Sequence, residues 1–503
     1  MKLSLLKVSV IFLLILTTTA YGQIQQGLSF NFFGGGARSE GMGQAFLAIS
    51  DDGTAASWNP AGLHFQEQTF MTIAYSSLAP KGKLGYAYYQ DPLNPQDGDG
   101  TLKYFDHGGT VAGLNYLHII SPVRISGHHF VLDLGYTRNF DVYSFYADKL
   151  FKNPFDSLQQ PNSFTEKTGY LSAINIGFGT RIYEGLSFGV TGNIYTGKVV
   201  TDERRQFSDT LNDSLQRVLG GEVEYYSHVQ ALDSSSFSGF NASIGFMYNS
   251  GPFRAGLVVR TPFTLDGESD NTYYYLSTEN NLPIETNSYS GMEIFRSDTV
   301  YINDQTFKME MPFMLGFGLG YNLTDNLLLA ADLEYRAFSG MNIELLENIT
   351  IQSDGTANEI FKTVPSYYAD ILQLRFGAEY LLDTKFGEIP IRAGIRSEAY
   401  PQGFISYYDI KYIDVEDLAG NVDSLNVDVD STAVQYTYVY DESSILDGFS
   451  FSLGTGIHWS QIKMDIAYTY TYYDQYIFRQ RGINPSENEW KNHHLNFTFT
   501  GYF

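Results

Sequence analysis

Beyond residue 66 most of the chain alternates apolar and polar positions with period two. In one run Met309, Met311, Phe313, Leu315, Phe317, Leu319 and Tyr321 are interleaved with Glu310, Pro312, Met314, Gly316, Gly318 and Gly320. In the next, Leu327, Leu329, Ala331, Leu333 and Tyr335 alternate with Asp332, Glu334 and Arg336. Later, Phe449, Phe451 and Leu453 alternate with Ser450, Ser452 and Gly454, and Ile462, Met464, Ile466 and Tyr468 with Lys463, Asp465 and Thr469. Successive strand residues face opposite sides of a sheet, so each run reads as a strand with one apolar face. Strands of soluble proteins average about 5–6 residues. Several of these runs reach about ten or more, the length a tilted strand needs to cross a bilayer.

This pattern predicts strands near 67–79, 109–120, 128–146, 168–182, 186–200, 236–248, 253–262, 308–321, 327–339, 369–382, 389–402, 446–459, 462–474 and 490–503. The connections alternate between long and short after the first strand, with short ones such as Asn249-Ser250-Gly251-Pro252. Outer-membrane barrels have an even strand count, short periplasmic turns and long outer loops. The expected fold class is therefore all-β, a 14-stranded antiparallel transmembrane β-barrel over residues 67–503, with both ends on the periplasmic side. A propeller or repeat array would carry a fixed sequence period, and none is present.

Composition narrows the function classes. The chain has no cysteine, which excludes a disulfide scaffold, a cysteine-ligated metal, a thiol nucleophile and a lipidated-cysteine anchor. A formal net charge of -25 argues against a nucleic-acid partner, which requires a basic surface. Acidic residues concentrate in the predicted outer loops 263–307 and 403–445, read as a solvated face. Calcium bridging those carboxylates to anionic lipopolysaccharide is a further option, because calcium takes oxygen ligands.

Residues 1–22 read as a cleaved secretory signal peptide. Lys2 and Lys7 precede an apolar stretch from Val8 to Leu16, and Ala20-Tyr21-Gly22 supplies small residues for cleavage before Gln23. The apolar stretch is too short for a spanning helix. The expected location is the bacterial outer membrane. Leu495, Phe497, Phe499 and Phe503 share one face of the last strand, similar to the signal by which outer-membrane barrels engage their insertion machinery.

Residues 23–66 do not alternate. They run through Phe30, Phe32 and Phe33 to Gly34-Gly35-Gly36-Ala37-Arg38, then Gly41-Met42-Gly43-Gln44-Ala45-Phe46, Asp51-Asp52 and Asn59-Pro60-Ala61-Gly62-Leu63. This block resembles the N-terminal hatch of the FadL/TodX family of outer-membrane transporters for long-chain fatty acids and aromatic hydrocarbons. Met311-Pro312, Ile391-Arg392-Ala393-Gly394 and Leu453-Gly454-Thr455-Gly456 resemble later family strands more loosely.

The resemblance implies a barrel plugged by residues 23–66. It also implies passive uptake of a hydrophobic small molecule, captured in an apolar pocket against the hatch and released sideways beside a kinked third strand. Phe30, Phe32, Phe33, Arg38, Met42 and Phe46 are the candidate ligand-binding residues, although the aromatic ones could equally glue plug to wall. Arg181, Arg254, Arg260, Arg375, Arg392 and Arg396 share the lumen phase with Asp133, Asp332, Glu334, Glu379 and Asp465. Buried charges need partners, so the expectation is an internal ion-pair network seating the hatch. Gly135, on the lumen face of the third strand, is the candidate for the lateral gate, since a glycine within a strand often marks a bend. Asn59-Pro60 is an ordinary turn opener and is expected to set the corner between hatch and wall.

No catalytic constellation, metal motif or cofactor motif is expected. His128-His129 and His493-His494 lie in predicted strands, where neighbours point to opposite faces. Gly34-Gly35-Gly36 is not followed by a phosphate-loop lysine. The alternative reading is a binding and shuttling barrel of a protein-secretion system resembling PorV, which shares a glycine-rich N-terminus and fourteen strands. A plugged barrel needs no partner copy to function, so a monomer is expected.

Overall fold

The computed structural model describes residues 34–87, 102–108, 110–148, 162–206, 226–277, 283–286, 293–295, 299–351, 357–364, 368–399, 401, 404–414, 432–441, 447–478 and 486–503. The expected signal peptide, Phe30, Phe32, Phe33 and most of the acidic loop residues lie outside the described residues, or their side chains do.

Among the described residues fourteen antiparallel wall strands close on themselves. They are β1 Phe70–Ala87, β2 Val111–Ile125, β3 His128–Asp148, β4 Asn162–Tyr183, β5 Leu186–Gln206 and β6 Tyr226–Ser250. Next come β7 (Phe253–Arg260, resumed as Phe263–Ser277), β8 (Thr299–Met311, then Met314–Thr324), β9 (Leu327–Arg336, then Ile343–Ile351) and β10 (Ala357–Val364, then Ile371–Thr384). The wall ends with β11 Gly387–Ala399, β12 Asp447–His458, β13 Ile462–Phe478 and β14 Ser486–Tyr502. Closure is made by β1 against β14, from Phe70 opposite Tyr502 to Leu84 opposite Asn488. A closed sheet leaves no edge, the one way strands can satisfy every backbone group in hydrocarbon.

The short turns are as tight as the sequence suggests. Ser126-Gly127 joins β2 to β3 with both residues at positive φ, 51° and 81°, the geometry of a two-residue hairpin turn. On the opposite rim the strands overshoot the bilayer. β6 has 25 residues, well beyond the roughly 9–11 a tilted span requires.

The wall's outer face is apolar. Ile119, Leu134, Ile176, Ile194, Phe240, Phe317, Leu333, Leu374, Phe376, Phe451, Leu453 and Phe497 are all exposed. A soluble protein does not carry a continuous apolar belt of that kind, and an outer-membrane barrel does. No helix among the described residues is long and apolar enough to cross a membrane. The chain is an outer-membrane β-barrel.

One expectation from the alternating pattern is corrected. The run from Met309 to Tyr321 does not present a single face. Pairing with β7 is interrupted at Pro312-Phe313, opposite Thr261-Pro262. Proline cannot donate a ladder hydrogen bond, and the phase changes there. Met311 is 2 % exposed in the lumen whereas Leu315 is 39 % exposed on the lipid side. Beside this break β9 detours through a turn, Phe338–Gly340, that buries Phe338 and Met341.

Candidate functional site

Residues 34–66 fill the lumen. They form a short helix Ala37–Gly41, a second helical turn Ala55–Trp58 and a 3-10 turn Pro60–Phe65. Nearly every described residue from Ala37 to Leu63 is buried. The fit rests on wall glycines that let the plug backbone approach closely. A Cβ on Gly189 would lie 2.2 Å from the Pro60 carbonyl carbon, and one on Gly394 would lie 2.1 Å from the Gly43 nitrogen. Gly256 stands in the same way against Leu47.

Polar contacts fix the plug in register. Arg38 holds Glu379 of β10 through Nε (3.0 Å) and Nη2 (2.9 Å), and its Nη1 reaches Asp51 at 2.6 Å. Asp51 also takes Arg254 of β7 at 2.6 Å. Glu379 accepts from Arg392 of β11 at 2.6 Å, and Arg392 continues to Asp465 of β13 at 2.6 Å. A second group centres on Glu40, which meets Gln44 (2.6 Å), Thr469 (3.1 Å) and Arg396 (3.4 Å). Asp332 of β9 accepts from the backbone nitrogens of Phe46 (2.6 Å) and Leu47 (2.9 Å). The expected ion-pair network therefore joins hatch to wall.

The candidate ligand residues are distributed differently from expectation. Arg38 is engaged by three carboxylates, Asp51, Asp52 and Glu379. Met42 and Phe46 belong to an apolar cluster with Leu47, Ile49, Trp58, Val258 and Met314, the seam between plug and wall. Phe46 stacks edge-on against Trp58 at 5.9 Å. The two side chains hold the plug and face no open lumen. Sequence alone could not separate these roles, because both require buried apolar residues.

Asn59-Pro60-Ala61 is a pin inside the lumen. The Asn59 amide donates to the carbonyls of Leu47 (2.8 Å) and Phe246 of β6 (3.1 Å), and its oxygen accepts from Ala61 (3.1 Å). The motif thus ties two plug segments to the wall as well as turning the chain.

Gly135 keeps its register with both neighbours, opposite His118 of β2 and Asn175 of β4. The space above it is taken by the His118 ring, 2.1 Å from where a Cβ would stand. His118 bridges Asp133 (2.8 Å) and Thr137 (3.0 Å) and stacks on Tyr116 at 3.8 Å. The irregularity in β3 lies four residues on, where Asn139 bulges between Arg138 and Phe140.

Two features whose residues sequence reasoning did not name lie away from the hatch–wall cluster. The first is an apolar layer of the lumen. Leu171, Ala173, Tyr195, Leu265, Met311, Phe338, Met341 and Ile371 are buried together, with Phe237, Phe263 and Met309 packed against them. Tyr195 and Phe263 stack at 4.8 Å. These residues come from β4 to β10, so no local motif announces them.

The second is a break in wall pairing. The β2–β3 ladder runs from Ile125 opposite His128 to Tyr116 opposite Thr137. Beyond that pair β2 stays paired with β1, and β3 with β4. Among the described residues no pairing joins Val111 to Asn115 with Arg138 or its successors. Thr137 pairs with Ala173 and Phe140 with Leu171, so the apolar layer begins one strand from this seam.

The fold recurs in solved structures of low sequence identity. A Pseudomonas aeruginosa FadL homologue aligns at 16 % identity and TM-score 0.57, covering 95 % of this chain and 100 % of that one. The Pseudomonas putida toluene transporter TodX aligns at 14 % identity and TM-score 0.57, covering 94 % and 99 %. The Ralstonia pickettii toluene transporter TbuX aligns at 13 % and 0.51, covering 94 % and 100 %. The plugged FadL/TodX-type barrel is thus the architecture of this chain. No curated protein matches it in sequence. The BamG family model matches residues 112–400, more than half of the chain and most of its wall, and the chain belongs to the BamG family.

Proposed function

We propose that the chain is a passive outer-membrane channel for hydrophobic small molecules. The observation that carries this reading is the apolar layer of the lumen, built from Leu171, Tyr195, Leu265, Met311, Phe338 and Ile371 and lying one strand from the β2–β3 seam. Ligand sites of this type are concave, mostly apolar and provided with few polar groups. A lipophile entering between the outer loops partitions into that layer. The seated plug blocks onward passage to the periplasm, and the seam offers a sideways route into the bilayer. No nucleotide motif accompanies the chain, so the concentration gradient drives transport. The shared fold with structures described as toluene transporters supports the ligand class.

The test compares a deletion strain with its complemented parent. Uptake of radiolabelled dodecanoate and toluene should fall on deletion and return with the intact gene. Native mass spectrometry of the purified barrel should find co-purified lipophiles. Unchanged uptake together with loss of surface-exposed or secreted proteins would instead establish the secretion-partner role.

A further inference from the structure

From β2 to β6 the lumen face carries one continuous chain of side-chain hydrogen bonds, and it ends on an unanswered donor. At its head His118 stands 3.0 Å from the Thr137 hydroxyl of β3. Thr137 donates to Asn175 Oδ1 of β4 at 2.7 Å, Asn175 Nδ2 to Asn193 Oδ1 of β5 at 2.7 Å, and Asn193 Nδ2 to Asn241 Oδ1 of β6 at 2.7 Å. The Tyr195 hydroxyl donates to the same oxygen of Asn241 at 3.3 Å. The amide of Asn241 is thereby oriented, because turning it over would set its nitrogen against that of Asn193. Asn241 is 1 % exposed, and its Nδ2 has no hydrogen-bond partner among the described residues. A buried donor in that state is costly unless something accepts from it.

The chain stops at Asn241 because the next strand is interrupted. On the periplasmic side of Asn241, β6 pairs with β7 through Ser243 and Arg260. On the outer side the pairing resumes at Gly239 and Leu265. Asn241 lies between these pairs, opposite the break at Thr261-Pro262, where no fifth amide continues the ladder. The apolar layer begins at the same point. Tyr195, which touches Asn241, belongs to that layer together with Leu265 and Met311, and it stacks on Phe263 at 4.8 Å. The free amide nitrogen is therefore a single polar point at the periplasmic floor of an apolar compartment.

We infer that Asn241 Nδ2 is the polar anchor of the apolar layer and takes the carbonyl oxygen of a neutral lipophile, a long-chain ketone or ester, in preference to the matching hydrocarbon. The anchor rests on the proposed channel reading and names its substrate class. An amide N–H donates, so its ligand atom must be an acceptor. The charged groups nearby are engaged with protein partners. Arg260 donates to Ser243 at 3.4 Å, and Glu334 is held by Arg336 and Arg375. A carboxylate buried against one neutral amide would lack compensation for its charge. A carbonyl oxygen carries no net charge and needs one donor. Apolar sites gain orientation and selectivity from a few such placed polar groups.

The experiment measures binding of tridecan-2-one, tridecane and dodecanoate to the full-length barrel in phosphatidylcholine nanodiscs, for wild type, N241L and N241D. N241L removes the donor and keeps a side chain of similar size. N241D keeps an accepting oxygen for Asn193 and Tyr195 and replaces the donor alone. Heat-modifiable gel migration confirms that each variant barrel is folded. Relative to tridecane, wild type should hold the ketone about tenfold more tightly than either variant does. In wild type the carbonyl stretch of bound isotope-labelled ketone should fall below its value in liquid tridecane, the signature of an accepted hydrogen bond, and N241L should restore that value. An unshifted stretch in wild type, or an unchanged ratio in the variants, assigns the amide to bound water and overturns the anchor. Equal weakening of ketone and alkane marks a purely structural asparagine and overturns it as well. A larger loss for dodecanoate than for the ketone overturns the neutral class. Wild type binding none of the probes overturns the channel reading itself, whereas equal wild-type binding of ketone and alkane leaves the channel and removes the anchor.

Discussion

Arg38 of the plug and Glu379 of the wall form a two-pronged ion pair, Nε to Oε2 at 3.0 Å and Nη2 to Oε1 at 2.9 Å, although they stand 341 positions apart in sequence. The pair is buried, so its worth lies less in net attraction than in what is left when one partner goes. R38Q strands Glu379 beside Arg392 and leaves Asp51 with Arg254. Breaking a buried pair in this way costs about 3–5 kcal/mol. The expected result is a plug that leaves the lumen in a barrel that stays closed, because wall pairing does not depend on Arg38. Planar-bilayer conductance should rise from near zero to open-pore events, and protease should reach residues 34–66. A variant as silent and as resistant as wild type would show that the network does not hold the plug.

The glycine contacts make a prediction of the opposite kind, by addition. G394V and G189V place side-chain atoms where the backbones of Gly43 and Pro60 now lie. Backbone cannot yield as a flexible side chain can, so overpacking should exceed the usual 1–3 kcal/mol and expel the plug. G192A serves as the control. Its Cβ would meet nothing closer than the Phe240 ring at 3.5 Å. Both valine variants should conduct like R38Q, while G192A should stay closed.

Plug seating should also depend on pH in two stages. Burial, together with nearby His129 and Arg181, pushes the His64 imidazole down to about 4. Its ordinary value is near 6.5. The neutral ring therefore favours the seated state fully above about pH 6.5, and that contribution is lost as pH falls toward 4. Glu40 and Asp51 follow at lower pH. Burial pushes both carboxyls up, but Arg396 and His494 for Glu40, and Arg38 and Arg254 for Asp51, more than reverse it. Their stabilisation is complete above the ordinary carboxylate range and disappears as pH drops below it. Protease protection of the plug should thus decline first between pH 6.5 and 4, then again below. H64F should remove the first decline and keep the second.

What sequence could and could not reveal follows from the range of each interaction. Period-two alternation is a local property, so fourteen strands were legible, although the connection read near 121–127 shrinks in the structure to Ser126-Gly127. The plug was expected because the block from Gly34 to Leu63 resembles the N-terminal hatch of the FadL/TodX family, not because of any periodicity. Arg38 shows how far sequence could go. A lone arginine among phenylalanines suggests an anion site, and only the fold brings Glu379 and Asp51 to it. The apolar layer is hidden for the same reason, since Leu171 and Leu265 sit on separate strands and Phe338 in the turn that interrupts a third. The β2–β3 seam depends on two bulges, at Asn115 and Asn139, and a bulge is a mismatch between strands that neither strand's own sequence records.

The break at Pro312 gives a paired test of wall and lumen. Met311 and Leu315 occupy the same phase of one alternating run, and a continuous strand would send both to one face. The interruption instead buries Met311 in the apolar layer and leaves Leu315 in the lipid belt. A charge on the lipid face near mid-bilayer costs about 2–4 kcal/mol. L315R should therefore lower the unfolding free energy of the barrel in liposomes by that amount, read as a lower urea midpoint, and leave ligand affinity unchanged. M311N should do the reverse, weakening binding of a neutral lipophile such as dodecan-1-ol with little change in barrel stability against lipid, because the side chain at this position points into the lumen and meets no hydrocarbon chain of the bilayer. If M311N and L315R destabilise the barrel alike and binding is untouched, both residues face lipid, the phase change is wrong, and the apolar layer loses one of its walls.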